Sequence, residues 1–463
     1  MSKAAMCTAF VAFSMACVLP PASTAQDASS HLAPVKAQMR LSTAKFRTML
    51  PIATIGAGEG LLTELENNIA PDVTAIVIES GSYALADLVA AIDEKGLQGA
   101  VTKSESTFTI GAPLVVWKGA ELTIGQGEHV ILDQKRSSLI LNAGSMSLIN
   151  ASIEGSTSSE KRIGFRPFIL TVADGKAVFN GSRIRNLGFG TFAETSGIAF
   201  LGRGYSMASA DVEVSNNDIT NLLSVSFIKS AKTQVFGNRL NQMQSSGIVL
   251  QSMSDVKVAG NVLKSTSGHG IRITSQSQKI ALQDNTIVGS KAHGIFVDDG
   301  SVLVDINGNR VEKSGLSGIA LRDSGCSVIA RNEVVNNAQS GVLSEASFSV
   351  DVNGNSIVKN WHGITLERQS GTTATKVRDN TFDRNRVAIR SDGHGDLIIA
   401  RNDFSRQWTR LFGGALASST GRYLAFHDAG NDFDFVLTGE AKAATVQMAS
   451  FSAFGLAECN SKL

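Results

Sequence analysis

From residue 197 onward one short phrase recurs: a glycine, then apolar, variable, apolar and variable positions. It reads SGIVL, HGIRI, HGIFV, SGIAL, SGVLS and HGITL around Gly247, Gly270, Gly294, Gly318, Gly341 and Gly363, with an earlier copy at Gly197. VAIRS ends the series, with Ala388 in the glycine place. Period-two alternation over so few residues predicts a strand with one buried face. A second phrase runs in step: asparagine, any residue, apolar residue. It falls at Asn217, Asn238, Asn261, Asn285, Asn309, Asn332, Asn355, Asn380 and Asn402, with gaps of 21, 23, 24, 24, 23, 23, 25 and 22. A repeat of roughly 23 residues is short for two helices with their turns and lacks the leucines of a leucine-rich repeat, and a propeller blade needs about 40. Three short strands per coil fit it, so the pattern predicts an all-β chain, a right-handed parallel β-helix.

Less regular coils precede the ladder at residues 107–122, 138–151, 165–172 and 178–184. Ala75–Glu79 reads as a strand and Leu85–Lys95 as an amphipathic helix that covers the open end of the solenoid, making a short N-terminal α/β cap. The expected organisation is a signal peptide over 1–25, a segment without clear pattern over 26–60, a cap over 61–105, the β-helix over 106–410 and a C-terminal cap and tail over 411–463. An uncapped solenoid end would expose core and strand edges.

Stacked coils place like residues over one another at the strand spacing of about 4.8 Å. The asparagines then form a column of side-chain amides at a turn, and the glycines are expected where the chain bends sharply. Counting each ladder glycine as zero, the first and third residues point inward and the second and fourth outward. The second positions are Val249, Arg272, Phe296, Ala320, Leu343, Thr365 and Arg390; the fourth are Gln251, Thr274, Asp298, Arg322, Glu345, Glu367 and Asp392. Arg272, Asp298, Arg322, Glu345, Glu367, Arg390 and Asp392 are therefore expected as a charged stripe down one sheet. Arginines in such a row suit the carboxylates of an extended sugar chain; the plainer alternative is a solvated face with cross-coil ion pairs such as Asp298–Arg322. His269, His293 and His362 each precede a ladder glycine, and His394 lies in a Ser-Asp-Gly-His-Gly turn; each is a structural turn residue or a base.

Composition narrows the class. Hydrophobic residues make up 43% and charged residues 18%, enough for a large core. Lys and Arg number 42 against 41 Asp and Glu, which argues against a general nucleic-acid binder. Lys3, the apolar run from Ala4 to Leu19 and the small residues Ser23-Thr24-Ala25 read as an export signal cleaved after Ala25. That run is short for a membrane span, and no other follows. Of the four cysteines, Cys326 and Cys459 lie beyond the signal; an oxidising compartment permits a bridge, which needs the tail to fold back, and two separate thiols are the alternative. Zinc-type and calcium-repeat spacings are both missing, so no cofactor or obligatory metal is expected.

Ser80-Gly81 with Leu85 and Asp87-Leu88-Val89, Pro113-Leu114-Val115-Val116, Gly119-Ala120-Glu121-Leu122, Phe165-Arg166-Pro167-Phe168 and the stretch from Leu187-Gly188-Phe189 to Ser196-Gly197-Ile198 together resemble the periplasmic mannuronan C5-epimerases of alginate export, over roughly residues 75–400. The resemblance implies a periplasmic protein acting on an acidic polysaccharide, with an export complex as partner. It also implies an arginine that neutralises a uronate carboxylate, a base that removes the C5 proton and an acid that returns one from the other face. The family's base lies in an Asp-Pro-His-Asp run; the matching coil here, Ser246 to Ser252, holds neither Asp nor His. Arg272, His293 and Asp298, with Arg322, offer a replacement neutraliser, base and acid on three adjacent coils, and Tyr205, where the family also has a tyrosine, is a candidate proton donor. Arg322, Glu345, Glu367, Arg390 and Asp392 are the expected substrate-binding positions.

Other readings stay open. Gly268-His269-Gly270 and Asp298-Asp299 resemble pieces of a polygalacturonase-type hydrolase, although in that family the Asp pair precedes the Gly-His-Gly. A lyase would share the proton abstraction. A non-catalytic scaffold that holds the polymer during export would need only the stripe. An adhesin passenger is disfavoured, because no membrane barrel follows the repeat.

Overall fold

The alternation of apolar and polar residues winds the chain into coils of three strands. The computed structural model describes residues 39–53, 59–156, 164–203, 212–369, 374–392, 395–427, 433–438 and 443–448. The expected signal peptide, Tyr205, His394 and Cys459 lie outside them. In a representative coil, Ile271–Thr274 belongs to sheet A, Gln278–Gln283 to sheet B and Thr286–Val288 to sheet C. Each strand pairs in parallel with its counterparts in the coils before and after, as Ile248↔Ile271↔Ile295 in sheet A. Inward residues such as Ile271, Ile273, Leu282 and Ile287 are fully buried in one continuous core. The fold is the expected right-handed parallel β-helix.

The asparagine column holds in register. Each side-chain amide donates to the Oδ1 of the next, from Asn217→Asn238 at 3.0 Å through Asn285→Asn309 at 2.9 Å to Asn380→Asn402 at 3.0 Å. The same Oδ1 also accepts the backbone N–H of the asparagine one coil earlier, as Asn285 N–H to Asn309 at 2.9 Å. The residue before each asparagine turns the corner in the left-handed region, for example Asp284 (φ 53), Gly308 (φ 67) and Arg331 (φ 53). A shorter amide column, Asn337, Asn360, Asn385 and Gln407, runs between sheets C and A. It escaped the sequence reading because earlier coils carry Ser290 and Ser314 in its place.

The ladder glycines serve a different purpose from the expected bend. Beyond Gly197, with φ 129, they do not adopt positive φ. A Cβ on Gly270 would lie 2.5 Å from the Gly294 carbonyl and 2.5 Å from Ile287 Cγ2. Close inward approach between coils, rather than backbone conformation, excludes side chains there.

The N-terminal region is more ordered than its sequence suggested. Arg40–Lys45 pairs antiparallel with the strand Thr74–Ala84, followed by helices Phe46–Ala53 and Glu59–Asn68. Phe46, Met49, Leu50, Leu61, Leu65 and Ile69 form a second apolar cluster with Leu139 and the outward-facing sheet A residues Leu141, Leu170, Val172, Ala199, Leu201 and Ile228. Apolar spacing of three and four residues was the available signal for these helices. Thr74–Ala84 itself already joins sheets A and B, pairing with Leu114–Val116 and with Ala120–Thr123, so the solenoid begins inside the segment expected as cap. The helix Leu85–Glu94 buries Leu85, Leu88 and Ile92 against the same core. At the other end sheet A continues to Gly414, and Phe433–Thr438 joins sheet B antiparallel to Leu397–Ala400, with Ala443–Met448 antiparallel beside it.

Candidate functional site

The outer face of sheet A changes character along its length. Through Ile228 its side chains are apolar, apart from the buried Ser226, and most lie in the cluster with the N-terminal helices; from Arg272 onward it carries charge. The cross-coil register stacks Arg272 against Phe296 and Arg322 against Glu345, which in turn stacks against Glu367. The expected charged stripe therefore lies on one face.

All of its members but Glu367 form ion pairs within the stripe. Arg272 Nη2 donates to Asp298 Oδ2 at 2.8 Å, and Arg322 Nε donates to Glu345 Oε2 at 2.7 Å. Arg368, in the left-handed turn after Glu367, also donates to Glu345, and Arg390 pairs with Asp392. Burial works to raise the Glu345 carboxyl, but Arg322 and Arg368 outweigh it and hold it below the usual carboxylate range. Asp298 thus pairs backward with Arg272 rather than with Arg322, because Arg322 is taken by the next coil. Arg368 was invisible to a period-two reading, since it sits in a turn.

Not every outward residue is solvated. Phe296 is only 6% exposed. Its ring stacks on those of His269 and His293 at centroid distances of 4.7 and 4.9 Å, and the two imidazoles lie 5.5 Å apart and nearly parallel. Arg272 and Arg322 pass over the same ring at 5.9 and 5.6 Å. Two histidines, two arginines and Asp298 so converge around one aromatic side chain, while His362 lies apart, stacked in register against Ser340.

The hydrogen bonds decide the imidazole tautomers. His293 Nδ1 accepts the Ser317 backbone N–H at 3.1 Å, and His269 Nδ1 accepts that of His293 at 3.3 Å. Burial pushes both rings down to about 4, with neighbouring positive charge adding to the shift. Each is therefore neutral near pH 7, with its proton on Nε2. For Nε2 of His293 to accept a proton, the tautomer would have to reverse and leave the Ser317 N–H without its acceptor. As placed, His293 offers its Nε2–H as a hydrogen-bond donor. Asp298 is 9% exposed, and its Oδ1 and Arg272 Nε are buried without a hydrogen-bond partner among the described residues. Unsatisfied buried polar atoms are uncommon and costly; here one belongs to each partner of the same ion pair.

Cys326 is disulfide-bonded. Among the described residues, no group of three or more His, Cys, Asp or Glu side chains is arranged to hold a metal ion, and no helix is long and apolar enough to cross a membrane.

Comparison with known proteins places this architecture. Residues 139–311 match the family model described as right handed beta helix region, and residues 299–410 match that of NosD, periplasmic copper-binding protein. A search of curated protein sequences found no match. Among solved structures, the periplasmic alginate epimerase AlgG is similar with a TM-score of 0.67 at 17% identity, over 87% of this chain and 99% of that one. The A-module of the Azotobacter vinelandii mannuronan C-5 epimerase AlgE6 is more distant, with a TM-score of 0.41 at 14% identity, over 71% of this chain and 89% of that one. At 17% identity the likeness to AlgG establishes the fold.

Proposed function

We propose that this protein binds an acidic polysaccharide along the open part of sheet A and exchanges the C5 proton of a uronate unit at the Arg272–His293–Asp298 cluster. The observation that carries the proposal is the pair of buried, unbonded atoms, Asp298 Oδ1 and Arg272 Nε, on an otherwise outward-facing sheet. Arg272 neutralises the sugar carboxylate, which makes the C5 proton removable. Asp298 takes that proton once the sugar carboxylate draws Arg272 away and opens the Asp298 carboxylate to the polymer; His293 presents its Nε2–H and acts as a neutral donor to the sugar carboxylate. A proton returned to the opposite face gives the epimer; loss of the O4 substituent instead gives an unsaturated end, the lyase outcome. Tyr205 is the proposed donor for the return step. Arg322, Glu345, Glu367, Arg390 and Asp392 carry the neighbouring sugar units. The fold shared with a protein named as a periplasmic alginate epimerase supports this reading and a periplasmic location, with an export complex as the expected partner.

A second reading, a non-catalytic scaffold, is favoured by one observation: the stripe arginines Arg272, Arg322 and Arg390 are already paired with the protein's own carboxylates. Incubation with polymannuronate and other polyuronates, followed by proton NMR, separates the readings. Epimerised units that disappear in Asp298→Asn and Arg272→Gln support proton exchange. Unchanged polymer that is nevertheless bound supports the scaffold, and wild-type rates in both variants would sink the assigned site.

A further inference from the structure

A second group of residues lies away from this cluster, where sheet C turns into sheet A on the later coils. Trp361 and Trp408 are 51% and 79% exposed. Exposed apolar groups gathered in one patch mark a binding site more often than single ones do. A cavity of about 470 Å³ lies between them, lined by Asn337, Lys359, Asn360, Arg384, Asn385 and Arg386 among others. Its lining holds three cations and no carboxylate. Asp383, adjacent in sequence, engages Arg384 at 2.7 Å and also acts on Lys359, which leaves Arg386 without an ion-pair partner among the described residues and the lining positive overall. The Arg386 guanidinium is held 4.0 Å from the centroid of the Trp361 ring, a stacked position that leaves its edge for a planar anion. The amide column Asn360–Asn385–Gln407 supports the turn from beneath.

We propose that this cavity is a distal subsite for one uronate unit of the same polymer. The sugar's C–H face stacks on Trp408, and its carboxylate lies against Arg386 and Lys359. The inference rests on the polyuronate reading above and extends it. Trp361 and Arg386 directly precede sheet A strands that carry Glu367 and Arg390, so the cavity borders the proposed groove. The register sets Trp361, Arg386 and Trp408 three, four and five coils beyond His293, or about 14, 19 and 24 Å along the axis at one strand spacing per coil. The subsite therefore serves chains long enough to run from the central cluster to the cavity, and it sets a length preference rather than the chemistry.

The test is binding of oligouronates of increasing length to the whole protein, by calorimetry and by tryptophan fluorescence, for the wild type, Trp408→Ala and Arg386→Gln. Trp408 is too exposed for its loss to unfold the chain, and thermal unfolding of the variant checks this. Long oligouronates should quench tryptophan emission and bind about three- to tenfold more weakly to either variant. Oligomers too short to span the distance should bind all three proteins alike. If long oligouronates bind the wild type but neither variant loses affinity, the subsite is wrong while the polyuronate reading stands. Equal losses for a neutral oligosaccharide would overturn the assignment of an acidic occupant. If no polyuronate binds at all, both proposals fall.

Discussion

Asn309→Ala tests the column that keeps the coils in register. The side chain is fully buried. Its Oδ1 accepts the Asn285 backbone N–H and Nδ2, both at 2.9 Å, and its own Nδ2 reaches the Leu282 carbonyl at 2.9 Å and Asn332 Oδ1 at 3.0 Å. Truncation does not affect all of these partners equally. Asn285 Nδ2 keeps the Val258 carbonyl, and Asn332 Oδ1 keeps the Asn309 backbone N–H. The Asn285 N–H loses its acceptor, and Leu282 loses a donor, at a site closed to water. At about 1–3 kcal/mol for each of these two buried groups, the cost is about 2–6 kcal/mol. Asn307→Ala is the control: that residue is half-buried, its side chain accepts only Arg331 Nε at 3.1 Å, and its loss should change stability by less than about 0.5 kcal/mol. Urea denaturation followed by circular dichroism compares the midpoints. Hydrogen exchange locates the damage, since a solenoid opens locally along its length. Faster exchange confined to the coils around Asn285 and Asn332 is the expected result. Equal midpoints for the two variants would refute the idea that the amides hold the register.

Gly270→Ala should destabilise by about 1–3 kcal/mol, because the added methyl meets backbone and Ile287; Gly421→Ala, in the helix Thr420–His427 with open space around it, should be neutral or stabilising, and thermal melts of the two distinguish close approach from backbone entropy. His269 and His293 sit near 4 in the folded chain against an ordinary value near 6.5, so the unfolded state binds more protons between those limits. Stability is therefore full above about pH 6.5 and falls as the pH drops toward about 4. His293→Gln should flatten part of that slope in urea titrations, and an unchanged slope would contradict a buried neutral ring.

Much of the fold was legible in the residues, because a solenoid writes its geometry at a fixed interval. The asparagine spacing predicted which side chains would stack, and the glycine phrases predicted which would face outward. Arg272, Asp298, Arg322 and Glu345 could thus be placed on one face before any coordinates. The two N-terminal helices have amphipathic spacing but no repeat, so their docking over Leu141, Leu170 and Ile228 was decided only when the chain closed on itself. Pairing was likewise a tertiary matter. The side chains choose between neighbours a coil before and a coil after, at nearly equal spacing, and Arg322 bonds forward to Glu345 while Asp298 bonds backward to Arg272. Sequence set the column each residue occupies. Only packing set the proton on His293, since that depends on a backbone N–H from Ser317, one coil away, and on the loss of water around a ring pressed against Phe296.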